Sequence, residues 1–322
     1  MFSLQLRMTL LLAALFGIVY AIIVMIGTAA GVYDFSFYII LSIGMMLLQY
    51  MIGPKIVEWT MRVRYVERHE AARVYDMVEK MARQANMPVP RICISELAIP
   101  NAFAFGRSMR DGRVCVTRGI MRLLNDDELQ AVLGHELSHI RNRDVLTITL
   151  LSVIPMIMYR IAWHTMFYGS GRRNQRDGGS TALVGMAALL FYFITNLLVL
   201  YASRIREYFA DKGAVALGNR PAHLASALYK LVYGSARMPE EQLKEAEGLK
   251  AFFLNDPSRA VNEINDLSRL DLNKDGIIDS GELLRLSNKK VRLGSGDKLM
   301  EFMSTHPNML KRIKHLSEMR GA

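Results

Sequence analysis

Two histidines four residues apart, with a glutamate directly after the first, carry the chemistry of this chain: His135-Glu136-Leu-Ser-His139. On a helix, positions i and i+4 lie on one face. Two imidazoles one turn apart can share a Zn²⁺ at about 2.0–2.1 Å each. Glu136 then lies beside the metal without pointing at it. There a carboxylate can accept a proton from zinc-bound water and pass it to a leaving amine. The flanking sequence predicts that helix. Asn125, with Glu128 three residues later, is a capping-box start, and Leu129, Val132, Leu133 and Leu137 give it one apolar face. The plainer alternative is two surface histidines on a helix, since so short a motif has chance matches.

A hydrolytic zinc site needs a third protein ligand and an open fourth position. The candidates are Asp144, His164, Glu207, His223, His306 and His315. Glu207 opens Glu-Tyr-Phe-Ala-Asp211. On a helix these two acids share a face, so Glu207 can bind metal while Asp211 receives the free N–H of a zinc histidine.

A second metal pattern lies further on. Asp271-Leu-Asn-Lys-Asp-Gly-Ile-Ile-Asp-Ser-Gly-Glu282 has the spacing of an EF-hand loop. Asp271, Asn273 and Asp275 fall at ligand positions one, three and five, and Gly276 at the sharp turn. Ile277 offers a backbone carbonyl, Asp279 sits at position nine, and Glu282 supplies the bidentate carboxylate. Calcium is the expected ion, and a polar turn that binds nothing is the alternative.

The elements that must hold these groups include apolar runs. Of 322 residues, 51% are hydrophobic, yet the distribution says more than the average. No charged residue occurs between Met8 and Tyr33, nor between Phe35 and Pro54. Runs of that length match a bilayer. Lys55, Arg62, Arg64 and Arg68 follow the second run, so the positive-inside rule puts the N-terminus and the region after residue 55 in the cytoplasm. Val145–Tyr168 and Thr181–Ser203 are two further runs. Pro155 and Arg160 interrupt the first, and Arg172, Arg173 and Arg176 fill the link, so the pair is either two spans or a re-entrant hairpin. The net charge of +10 then reads as topology and headgroup attraction rather than nucleic-acid binding, for which no basic run interleaved with aromatics exists.

Between the second and third runs, a helical stripe of Ala71, Val74, Met77, Val78 and Met81 precedes three short strands, 91–95, 102–105 and 113–117, which predict one small sheet. Cys93 and Cys115 fall inside two of these strands and read as buried hydrophobes rather than metal ligands. Residues 234–239 and 294–297 read as loops.

His135-Glu-Leu-Ser-His139 with Arg141-Asn-Arg-Asp144, then Arg206-Glu-Tyr-Phe-Ala-Asp211, then Ser304-Thr-His-Pro307, together with Pro100-Asn-Ala-Phe-Ala-Phe-Gly106, resemble the HtpX-type membrane zinc endopeptidases, gluzincins related to the type I CAAX prenyl proteases. The resemblance covers most of the chain, interrupted around residues 240–300, and the EF-hand-like loop departs from it. It implies His135, His139 and Glu207 as ligands of one zinc per chain and Glu136 as general base. His306 would help stabilise the oxyanion. Asn101, Ala102 and Phe103 would belong to an edge strand that pairs with substrate backbone.

The expected architecture is an α-helical membrane protein with a cytoplasmic α+β zincin-type metalloprotease domain, mostly helix with a small β-sheet. Residues 1–55 would hold two transmembrane helices and 56–144 the zincin part with the H-E-x-x-H helix. Residues 145–203 would hold two further membrane helices or a hairpin, and 204–322 a cytoplasmic helical part with the third ligand and loop 271–282. The H-E-x-x-H helix should run straight into the third apolar run, and Glu207 should emerge straight from the fourth. The expected function is a multi-pass cell-membrane endopeptidase whose cytoplasmic active site cleaves misfolded or membrane proteins. Its expected partners are those substrates and the lipid bilayer, with no nucleic acid and no oligomeric state fixed. The alternatives are a CAAX-type processing protease and a non-catalytic protein that binds zinc and calcium.

Overall fold

The computed structural model describes residues 50–144, 147–148, 151, 154–155, 158–159, 162, 178–237, 263–264, 267–289, 291 and 294–319. The two N-terminal runs up to residue 49, His164 and most of the third run lie outside these. The chain divides into two compact units: residues 1–52 with 146–205, and residues 53–145 with 206–322.

In the second unit the elements run β1 (Val63–Tyr65), α1 (Ala72–Gln84), β2 (Arg91–Ser95), β3 (Ala102–Phe105), β4 (Arg113–Thr117), α2 (Arg118–Leu123) and α3 (Asp126–Arg141). The strands form one mixed sheet in the order β1-β2-β4-β3. β1 runs antiparallel to β2, β2 parallel to β4, and β3 antiparallel to β4. β3 is therefore an edge strand. The period-2 alternation of the strands sorts their side chains onto two faces. Ile92, Ile94, Val114 and Val116 join the large core with α1 and α3. Cys93, Phe103, Phe105 and Cys115 point the other way and pack with Val57 and Met61. The two cysteines are register partners on neighbouring strands, fully buried among apolar side chains.

The predicted stripe of α1 is buried at Ala71, Val74, Val78 and Met81, and Met77 packs partly against it. α3 starts as predicted: Asn125 Oδ1 accepts the Glu128 N–H at 2.9 Å and the Asn125 N–H donates to Glu128 Oε2 at 3.0 Å. Buried Glu128 also accepts Ser226 Oγ at 2.7 Å and pairs with Lys230 at 2.7 Å, tying α3 to α5 (Pro221–Ala236).

One expectation changes here. α3 does not run straight on into the third apolar run. It ends at Arg141, Asn142 caps it, and Arg143 takes a left-handed conformation with φ 55°. That reversal brings Asp144 back towards the helix end. Glu207, by contrast, continues the fourth run without a break. α4 is one helix from Gly178 to Ala216. Its 39 residues rise about 58 Å at about 1.5 Å each, far more than a hydrocarbon core of about 30 Å needs. Among the described residues it is the one helix long and apolar enough to cross a membrane. In the first unit, its Val199 and Ala202 pack on Leu151 and Ile154.

The second unit closes with α6 (Ser280–Ser287), α7 (Ser295–Phe302) and α8 (Met309–Ser317). The segment 295–297 opens α7 and is not a loop: Gly294 caps it and Asp297 lies in its first turn. Residues 234–236 likewise are not a loop but the last turn of α5, whose apolar face carries the helix on to Ala236, and 238–239 lie outside the described residues.

Candidate metal centre

α3 and the polar end of α4 approach closely enough to build one site. The contact is lined by small residues. A Cβ on Gly134 would meet Asn219 Nδ2 at 2.5 Å, and one on Gly213 would overlap Ser138. With both helices this near, His135 and His139 on α3 face Glu207 on α4.

The two Nε2 atoms lie 3.0 Å apart. His135 Nε2 is 3.6 Å from Glu207 Oε2, and His139 Nε2 is 3.6 Å from Glu207 Oε1. Ligand atoms at about 2.0–2.1 Å from a tetrahedral ion lie about 3.3 Å from each other, so this triangle has the dimensions of three corners of such a site. His135, Glu136 and His139 also bring their ligand atoms within 4.8 Å of one another.

The outer nitrogens settle the tautomers. His135 Nδ1 lies 2.9 Å from Asp211 Oδ1, and His139 Nδ1 lies 2.6 Å from Asp144 Oδ2. An Nδ1–H donated to each carboxylate leaves both Nε2 lone pairs aimed at one point, alongside the Glu207 carboxylate. Lone pairs so placed repel unless positive charge sits between them. Burial opposes charge on His135, but the bonds to Asp211 and Glu207 outweigh burial and raise the imidazole to about 9. The donor set of two imidazoles and a carboxylate fits zinc.

Two guanidiniums hold these carboxylates. Arg312, fully buried on α8, grips Asp211 through Nη2 at 2.7 Å and Nε at 3.1 Å, and reaches Glu207 through Nη1 at 3.0 Å. Arg206 pairs with Asp144 and donates to the Asn142 carbonyl at 3.0 Å.

Glu136 is 3% exposed. Burial raises its carboxyl above the usual range, against the neighbouring His139 and His135. The Ala104 N–H of β3 hydrogen-bonds it, so this carboxylate stands beside the sheet edge. Asn101, Ala102 and Phe103 enter that strand, all buried, with the Asn101 N–H on Thr117 Oγ1 at 2.9 Å. His306 Nδ1 is 3.5 Å from Glu207 Oε2, and, against burial, it joins Arg312 in holding the Glu207 carboxyl well below the usual range.

Among the other candidate ligands, Asp144 stands behind His139, on the side away from the Nε2 pair. His223 lies 3.9 Å from Asp127 at the far end of α3. His315 packs edge-on to Tyr208, with ring centroids 5.1 Å apart. Sequence reasoning missed Arg206 and Arg312. Arg206 is the neighbour of Glu207 in the motif, whereas Arg312 has no local signal beyond its position five residues after Pro307.

Loop 271–282 lies apart from this centre. Asp271 Oδ2 accepts the Gly276 N–H at 2.9 Å and the Tyr229 hydroxyl at 3.0 Å. Gly276 turns at φ 80°. Asp279 caps α6, and Glu282 Oε1 accepts the Leu272 N–H at 2.6 Å.

A helix carrying two histidines and a buried glutamate, a carboxylate from a second helix completing the ligand triangle, and a sheet edge alongside define a metalloprotease of the H-E-x-x-H class. Comparison with known proteins narrows the class. The model of peptidase family M48 matches residues 68–320. The protease HtpX homolog of Methanothermobacter thermautotrophicus is 52% identical over 230 residues, which cover 71% of this chain and 86% of that one. The protease HtpX homolog 2 of Methanosarcina acetivorans is 34% identical over 285 residues, 88% and 85% of the two chains. The crystal structure of S. mikatae Ste24p shares the fold at a TM-score of 0.50 and 16% identity, over 98% of this chain and 67% of that one. The chain belongs to peptidase family M48. It is a metalloprotease whose similarity within the family is to the HtpX-type proteases, and zinc is the metal of that family.

Proposed function

We propose that this protein is a membrane-embedded zinc endopeptidase that cleaves misfolded or membrane proteins on the cytoplasmic side. His135, His139 and Glu207 hold the zinc, and Asp211 and Asp144 fix the two imidazoles. When bound, zinc supplies Lewis acidity. Glu136 accepts the proton of the attacking water and delivers it to the leaving amine. Its buried, raised carboxyl suits a group that must take up and release a proton near neutral pH. His306, beside Glu207, would serve an oxyanion. Asn101, Ala102 and Phe103 belong to the strand that receives the substrate backbone.

The observation that carries this reading is the convergence of two imidazole nitrogens and a carboxylate beside a buried glutamate. A closed structural site would fill the fourth position with a protein ligand and would not need Glu136. A CAAX-type reading has no residue here that points to a prenyl group. The test is cleavage of casein by detergent-purified full-length protein, beside Glu136→Gln. Activity that requires zinc and is lost in the variant, with zinc still bound, supports the endopeptidase. Equal activity in both proteins removes it.

We assign loop 271–282 to calcium, with ligands from Asp271, Asn273, Asp275, Ile277, Asp279 and Glu282. What supports this is the spacing, the left-handed Gly276 and the helix that starts at position ten. Calorimetric titration with calcium should give one site in the wild type and none in Asp271→Ala. Heat in both or in neither ends the assignment.

A further inference from the structure

Residues 50–60 form a helix that is apolar on two opposite sides. One side carries Val57 and Met61, buried against Cys93, Phe103, Phe105 and Cys115 of the sheet. The other carries Ile52, Ile56 and Trp59 at i, i+4 and i+7, and these are 42%, 52% and 85% exposed. One apolar side of this helix is already covered by the sheet, and an exposed second stripe ending in a bare tryptophan marks a surface meant to be covered.

Three features identify the cover. The sequence leading into this helix, from Phe35 to Pro54, has no charge. Trp59 stands just past the end of that run, where tryptophans collect at membrane–water boundaries. Lys55 lies within the stripe and Arg62 just past it, both exposed, a sign of charge suited to anionic headgroups.

We propose that this face is a lipid-contacting surface: Ile56 and Trp59 lie among phospholipid headgroups and the first acyl carbons. Through Val57 and Met61 the same helix seats the sheet, and with it β3, at the bilayer surface. The proposal rests on the reading of the chain as a membrane protein and adds a defined contact to it. Its consequence for function is that the strand beside Glu136 is held at a fixed height above the lipid, within reach of a segment leaving the bilayer.

The chain has two tryptophans, Trp59 and Trp163, so Trp163→Phe leaves Trp59 as sole reporter. The full-length variant is reconstituted in phosphatidylethanolamine–phosphatidylglycerol vesicles containing lipids brominated at shallow or deep acyl positions. Blue-shifted emission, quenched most by the shallow bromines and little by aqueous iodide, is the expected result. If the protein floats with the vesicles but Trp59 emits as in water and is quenched by iodide alone, the surface proposal is overturned while the membrane reading stands. Failure to float removes both. Cross-linking from position 59 to a second copy overturns it in favour of a chain–chain contact. In the activity arm, Trp59→Ser should slow cleavage of a bilayer-inserted substrate several-fold and leave casein cleavage in detergent unchanged. Trp59→Tyr should restore the rate. Equal rates for the serine variant and wild type on both substrates would leave the surface without its role.

Discussion

Each metal-facing imidazole is held by a carboxylate that is in turn held by a guanidinium. His135, Asp211 and Arg312 form one such series, and His139, Asp144 and Arg206 the other. Removing the middle member should loosen the tautomer rather than abolish the site. Asp211→Asn is expected to weaken zinc binding about 10–100-fold, the range for such outer partners, as read by competition with a metallochromic chelator. Arg312→Met is harsher, because it strands two buried carboxylates. A loss of about 3–5 kcal/mol is expected, visible as a lower midpoint in denaturant. Acid sensitivity has a different source. Asp111 accepts from Arg91, Arg107 and Arg113. Burial pushes its carboxyl up, the arginines more than offset that, and it falls to about 2. A carboxyl lowered on folding stabilises above its unfolded value of 3.8 and loses that contribution as pH falls towards 2. The gap in stability between wild type and Asp111→Asn should therefore close between about pH 4 and pH 2; a gap independent of pH in that window would refute the linkage. The ligand-type residues were legible because their chemistry is local: one helical turn sets His135 against His139, and another sets Glu207 against Asp211. Asp144 could be read only as one candidate ligand among several, since its place behind His139 depends on the left-handed Arg143. Arg312 was illegible because its two partners are a hundred residues away in sequence.

At the scale of elements, the crossing of α3 and α4 decides whether the ligands meet. Gly213 has no room for a methyl group against Ser138. Gly213→Ala should cost about 1–3 kcal/mol through overpacking and reduce zinc occupancy with it, and Ser138→Gly in the same chain should recover part of both. Unchanged stability would mean that the helices can shift apart without loss. Alternating patterns gave away β2, β3 and β4, and the capping box gave away the start of α3. β1 was not seen, because three residues with an arginine in the middle carry no periodicity, and it is pairing with β2 that makes it a strand. The end of α3 and the start of α7 were misjudged for a related reason. Asn142 and Gly294 act as caps, and what lies beyond a cap is chosen by tertiary contacts rather than by local preference.

On the scale of the molecule, one part of the chain is written in long uncharged runs and the other in short amphipathic elements, and α4 carries both kinds of sequence in a single helix. A metal that binds only the folded form adds its binding energy to stability. Chelation should therefore lower the melting temperature, zinc should restore it, and Glu136→Gln should show the same shift as wild type, since it removes the proton carrier and keeps the ligands. A shift confined to the active protein would point to self-cleavage instead.

Among the described residues β3 has one partner strand, and the backbone groups on its other side face outward at alternate residues. Ala104 spends its outward N–H on Glu136, and two residues earlier Ala102 lies in the same alternation. An incoming chain that adds to this edge thus finds its ladder interrupted at one fixed residue. The point of interruption is Glu136, the proposed base. On the proposed mode of binding the edge would work as a ruler with its zero mark at Ala104: it would count backbone units up to the cut and read no side chain on the way. Cleavage products from unrelated proteins should then agree in the length of extended chain they need on one side of the cut, even where they share no residue at the cut itself.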